Sequence, residues 1–168
     1  FYKDAGQLPD FEDYSMKGRT YRYMQQEPLF PFGHGLSYTD FTYGEAKLSK
    51  NTIAKGENVV LTIPVSNVGQ RDGEEVVQVY LRRPGDKEGP CYTLRAFKRV
   101  HILAGKTESV AIPLTGENLE WFDVESNTMR PLEGTYELLY GGSFDKNQLK
   151  TIVMNVQSVS YTHLTLPT

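Results

Sequence analysis

Val59, Leu61, Ile63 and Val65 alternate with Val60, Thr62, Pro64 and Ser66, a period of two that turns one apolar row to a single side. A turn cluster, Asn67-Val68-Gly69-Gln70-Arg71-Asp72-Gly73, ends this run. Val77, Val79 and Leu81 then alternate with Gln78, Tyr80 and Arg82 up to Pro84-Gly85. A chain written this way buries one face of each strand and cannot hide that face in a helix. Further strands are predicted over 41–48, 94–103, 108–114, 121–124, 134–140 and 150–156. That makes about seven to eight short strands separated by turns, with no helical period between them. An open sheet must cover its apolar face, so the expected fold is an all-β sandwich. Leu132-Glu133-Gly134-Thr135-Tyr136 reads as a tyrosine corner, in which the phenol bonds back to nearby backbone.

The composition agrees: 11 Tyr, 15 Gly and 9 Pro among 168 residues favour strands and turns. It also excludes function classes. A net charge of -3 leaves no basic excess for phosphates, which argues against a nucleic-acid partner. No apolar run is long enough to span a membrane as a helix. The single cysteine, Cys91, excludes an internal disulfide and a multi-cysteine metal site.

Residues 1–38 follow no sustained period. Prolines at 9, 28 and 31 and glycines at 6, 18, 33 and 35 make this stretch an extended strap, with one short strand expected over 20–24. Phe11, Tyr14, Tyr21, Tyr23, Phe30 and Phe32 are too many aromatics to leave in water. They are expected to pack on the following domain or on something upstream. At the other end, Val159–Thr168 reads VSYTHLTLPT, uncharged and without alternation. Its codons can match a common sequencing adapter, so it is set aside as an artefact. The opening residue, Phe1, suggests a fragment.

Chemistry is sparse. Glycosidic cleavage uses two carboxylates about 5 Å or about 6.5–9.5 Å apart. Glu74 and Glu75 are adjacent and therefore point to opposite faces of a strand. Asp10, Glu12 and Asp13 read as a solvated cluster. His34 stands between Gly33 and Gly35, with no nucleophile or carboxylate at an informative spacing, and reads as a structural histidine. His101 falls in a strand, and His163 in the set-aside tail. Gly33-His34-Gly35 lacks the third glycine of a dinucleotide loop, and Gly141-Gly142-Ser143 is a turn. Trp121 could stack on a sugar but reads as core. Arg82, Arg83, Arg95, Lys98 and Arg99 read as a solvated edge, and Cys91, after Gly89-Pro90, as a loop residue. No catalytic residue, metal ligand or cofactor site is assigned.

Gly18-Arg19-Thr20-Tyr21-Arg22-Tyr23 followed by Pro28-Leu29-Phe30-Pro31-Phe32-Gly33-His34-Gly35-Leu36-Ser37-Tyr38-Thr39 resembles a junction in glycoside hydrolase family 3. There, the second, α/β sandwich domain meets a C-terminal fibronectin type III-like domain. Val65–Gly69 with Asp72-Gly73, Val77–Leu81 and Leu94–Val100 resemble later motifs of that domain, in order. The resemblance implies a division into residues 1–38, the tail of the α/β sandwich domain and linker; 39–158, an immunoglobulin/fibronectin type III-like β-sandwich; and the tail 159–168. Its members are retaining, exo-acting β-glucosidases and β-xylosidases, and the strap is most similar to bacterial ones, periplasmic or secreted. Their nucleophilic Asp and acid/base Glu lie in other domains and match nothing here. A tryptophan common before the final hairpin is replaced by Thr128-Met129-Arg130-Pro131-Leu132. The resemblance implies a non-catalytic module whose partners are the N-terminal catalytic domains of the same chain, with an oligo- or polysaccharide as the parent enzyme's substrate. Tyr21, Tyr23, Phe30, Phe32, His34 and Tyr38 are then the expected interdomain packing residues. A free-standing immunoglobulin-like binding or adhesion module is the alternative.

Overall fold

A computed structural model describes residues 2–158; the set-aside segment 159–168 lies outside the described residues. Eleven strands follow the strap: β1 (Phe41–Tyr43), β2 (Lys47–Leu48), β3 (Thr52–Ala54), β4 (Val59–Asn67), β5 (Gly73–Arg82), β6 (Thr93–Ile102), β7 (Thr107–Leu114), β8 (Glu120–Asp123), β9 (Thr128–Pro131), β10 (Gly134–Gly141) and β11 (Lys150–Gln157). One sheet holds β1, β2, β4 and β7; the other runs β3-β11-β10-β5-β6; β8 and β9 form a separate hairpin.

The apolar rows meet between the two sheets. Val59, Leu61, Ile63 and Val65 of β4 face Val77, Val79 and Leu81 of β5 and Tyr136, Leu138 and Tyr140 of β10 in one buried cluster. Each such aliphatic side chain contributes about 1.5–3 kcal/mol by leaving water. Trp121 is buried in the same cluster, and its indole N–H donates to Asp86 Oδ2 at 2.5 Å. That places it in the core, as its lone occurrence suggested. Asn67 closes one end of the sandwich. Its amide donates to the carbonyls of Arg71 (2.7 Å) and Ile102 (3.0 Å), and its oxygen accepts from Thr39 Oγ1 (2.6 Å) and Gly69 N–H (3.1 Å). All its hydrogen-bonding capacity is used, which is what a buried amide requires.

The tyrosine corner is present. Tyr136 Oη donates to the Leu132 carbonyl at 2.8 Å and accepts from the Leu132 amide at 3.1 Å. Tyr136→Phe is expected to lower stability by about 1–3 kcal/mol in a denaturant titration, because two backbone groups lose their partner.

Four departures from the sequence expectations have physical causes. The strand expected over 41–48 is split, because the buried Tyr140 hydroxyl takes the backbone between its halves, donating to Gly44 O (3.1 Å) and accepting from Ala46 N–H (3.0 Å). β3 was missed because it presents one large apolar residue, Ile53, and pairs in parallel with β11. β9 was missed because it has no alternation; its cross-strand pairing with β8 defines it. The strand expected over 20–24 is instead a single helical turn, α1 (Thr20–Tyr23), entered after Gly18 at φ +72. In this structure the turn lays its tyrosine on the sandwich instead of pairing at a sheet edge.

Candidate functional site

The alternation in β5 implied that Gln78 and Tyr80 face water. Both are buried. The strap covers them, making a second apolar cluster of Tyr80, Leu139 and Phe144 on the outer face of the five-stranded sheet, with Tyr21, Tyr92, Leu94 and Leu149 packed against it.

Tyr21 is the centre of this seam. Its ring stacks on Phe32 (centroids 4.6 Å, 23° between planes) and meets Tyr80 (5.9 Å) and Phe144 (5.6 Å) edge-on. Its hydroxyl accepts from the Leu94 amide at 3.1 Å, which fixes the turn to β6. Backbone bonds complete the attachment: Phe144 N–H donates to Phe32 O at 2.7 Å, and Cys91 N–H to Arg22 O at 2.6 Å.

Gly33 is needed here. It lies at φ +78, and a Cβ on it would come within 2.7 Å of Gln78 Nε2. Gln78 cannot swing away freely, since Nε2 donates to Gly142 O at 2.8 Å and Oε1 accepts from the Tyr80 hydroxyl at 2.5 Å. Gly33→Ala is therefore expected to weaken strap attachment by about 1–2 kcal/mol. The reading is faster amide exchange at Phe144 with unchanged protection in β4.

Of the six expected packing residues, the structure brings four to one place. Tyr21, Phe30, Phe32 and His34 line a groove of about 960 Å³, with Asp145 and Asn147 across from them. Phe30 lies against the His34 ring at 5.0 Å, and Phe30 and Phe32 each remain 46% exposed. Tyr23 instead lies under the Arg22 guanidinium at 5.7 Å, outside the groove. Tyr38 stands apart and is 93% exposed, as is Phe11 at 92%. Tyr80, Phe144 and Tyr92 belong to the seam and were missed. Tyr80 carried a signal, an aromatic on the nominally wet side of a strand; Phe144, in a Gly-Gly-Ser-Phe loop, carried none.

The carboxylates take separate roles. Glu74 pairs with Arg99 on the sheet surface, whereas Glu75 is drawn partly inside beside the Tyr43 hydroxyl. Burial raises the Glu75 carboxyl above the ordinary 4.5, against the Val76 N–H bond and the neighbouring Tyr43 hydroxyl, which favour the charged form. A raised folded value means that its contribution is full below the unfolded pKa and is lost as pH rises through the folded one. Glu75→Gln is thus expected to flatten the fall in stability above about pH 4.5 in melts from acid to neutral pH. The arginines expected as a solvated edge divide likewise. Arg82 and Arg99 pair with Glu137 and Glu74, whereas Arg95 is half-buried and donates to Glu120 O at 2.6 Å.

The fold defines an immunoglobulin-like β-sandwich module with an aromatic strap bound across one sheet. The profile of the fibronectin type III-like domain matches residues 75–144. The chain is similar to a xylan 1,4-beta-xylosidase of Xylanibacter ruminicola, 51% identical over 93% of this chain and 18% of that protein. It also resembles a periplasmic beta-glucosidase of Salmonella typhimurium, at 29% over 83% of this chain and 22% of that one. The structure of a β-glucosidase from Erythrobacter marinus superposes with a TM-score of 0.72 at 28% identity, covering 90% of this chain and 20% of that one. This chain belongs to the C-terminal, fibronectin type III-like region of the glycoside hydrolase family 3 β-glucosidases and β-xylosidases. It spans about a fifth of the length of the proteins it matches.

Proposed function

We propose that this chain is the non-catalytic C-terminal module of a retaining, exo-acting β-glycosidase that removes terminal β-glucosyl or β-xylosyl residues, and that it stabilises the catalytic domains by packing against them. The parent protein is proposed to be periplasmic or secreted, a reading supported by the periplasmic relative. One observation carries the packing role: the strap is two-sided. Tyr21, with Phe32 stacked on it, is committed to the sandwich, while Phe30, the exposed part of Phe32, Phe11 and Tyr38 offer apolar area to a second body. Apolar surface of this extent on one segment marks an interaction site.

The reading is tested in the parent polypeptide. Replacing Phe30 and Tyr38 together by Ser should lower the melting temperature of the catalytic part by several degrees. KM for p-nitrophenyl β-xyloside or β-glucoside should stay the same, because the strap contributes packing and not substrate contacts. A raised KM with an unchanged melting temperature would replace the packing role with a substrate-binding one.

A further inference from the structure

We infer that the groove between the strap and the 144–147 loop is a socket in which the catalytic part of the same polypeptide seats an apolar segment, so that one contact joins strap, sandwich and catalytic part; the inference rests on the packing role proposed above.

The groove has two walls of different origin. Met24, Leu29, Phe30 and Phe32 come from the strap, and Phe144 with Asn147 from the loop that follows β10. The walls are tied together, since Phe144 N–H donates to Phe32 O at 2.7 Å and Tyr21 touches both rings. A volume of about 960 Å³ lies at the upper end of the range for ligand sites, about 300–1,000 Å³, and admits several apolar side chains. Leu29, like Phe30 and Phe32, stays exposed along it, so an apolar occupant would remove a continuous patch from water.

The path of the chain names the occupant. Lys3 Nζ pairs with Glu27 Oε2 at 3.6 Å, and Gln7 Nε2 donates to Gln26 Oε1 at 2.8 Å; Glu27 and Gln26 both line the groove. The first residues therefore run along its rim. Phe1 stands two positions before Lys3 and so at most about 7 Å from it. The chain matches only 18% and 20% of two relatives, so most of their length lies outside it. A body joined at Phe1 meets the groove at an effective concentration on the order of mM, at which a weak apolar contact is enough. The lining also favours polypeptide over saccharide, which needs free donors and acceptors around its aromatic platform. Here Gln7 and Lys3 engage Gln26 and Glu27, the Asn147 amide engages Asp145 Oδ1, and Pro28 and Pro31 add aliphatic surface.

The test places a thiol on the sandwich wall by Asn147→Cys, with Glu125→Cys in the exposed β8–β9 turn as the control. Modification by N-ethylmaleimide is followed by peptide mass mapping, which separates both positions from Cys91. In the intact parent polypeptide, position 147 should react about tenfold more slowly than in this chain, the ratio of a millimolar effective concentration to a Kd of about 0.1 mM. Position 125 should react equally in both. Asn147→Trp, which fills the groove, should lower the melting temperature of the parent's catalytic part by several degrees and leave this chain's own unfolding unchanged. Equal rates at 147 in chain and parent, or equal protection at 147 and 125, would overturn the socket. Protection in the parent that appears only on adding xylobiose or cellobiose would overturn the polypeptide occupant, and protection in this chain that grows with its own concentration would replace it with a second copy. A reactive position 147 in a parent destabilised by the Phe30 and Tyr38 substitutions would overturn the socket and leave the packing role standing. Protection at 147 in a parent indifferent to those substitutions would overturn the packing role of the two aromatics and leave the socket.

Discussion

Tyr80→Ala is expected to destabilise the chain by about 3–5 kcal/mol, the range for deleting a buried aromatic. Tyr80 is fully buried although it lies on the sheet face that points away from the sandwich core. Its ring contacts Phe144 (centroids 4.9 Å) and Tyr21, and its hydroxyl holds Gln78 in place. The loss should depend on the strap. In a double-mutant cycle with Tyr21→Ala, the two substitutions should be non-additive by about 0.5–3 kcal/mol. Strict additivity would mean that strap and sandwich do not share this core.

Leu61→Ala should lower stability by about 2–5 kcal/mol, for a different reason. Leu61 is fully buried between the sheets, where β2 and β7 flank its strand at Leu48 and Ile112. Neighbours pinned in two ladders relax little into the space left, so the cavity contributes beyond the lost transfer energy. No coupling to Tyr21 is expected, since the two side chains belong to separate clusters. A loss below about 0.5 kcal/mol in urea, the size of an ordinary surface substitution, would reject this placement.

The main core was legible because period two is unambiguous over long strands. Val59, Leu61, Ile63 and Val65 could occupy only one face, and that face proved buried throughout. The tyrosine corner was legible because its spacing is local. What could not be read was the second cluster. Whether Tyr80 faces water or the strap depends on a contact with Tyr21, 59 positions earlier by the residue numbers 80 and 21. No local pattern encodes a pairing of that range. The division of the arginines was hidden likewise: a bulge between residues 94 and 96, not sequence spacing, sends Arg95 over Trp121 while Arg99 stays at the surface. In the candidate site, the strap aromatics were recognised by their number and composition. Their partners on β5 and in the 141–149 loop emerged only from the fold.

The most direct test of the account is to sequence the gene from source DNA upstream of the codon for Phe1. The reading frame is expected to continue into an α/β sandwich domain and, before it, a barrel domain carrying a nucleophilic aspartate. An initiation codon and secretion signal immediately before Phe1 would contradict it, and would make the exposed strap the binding surface of a free-standing module.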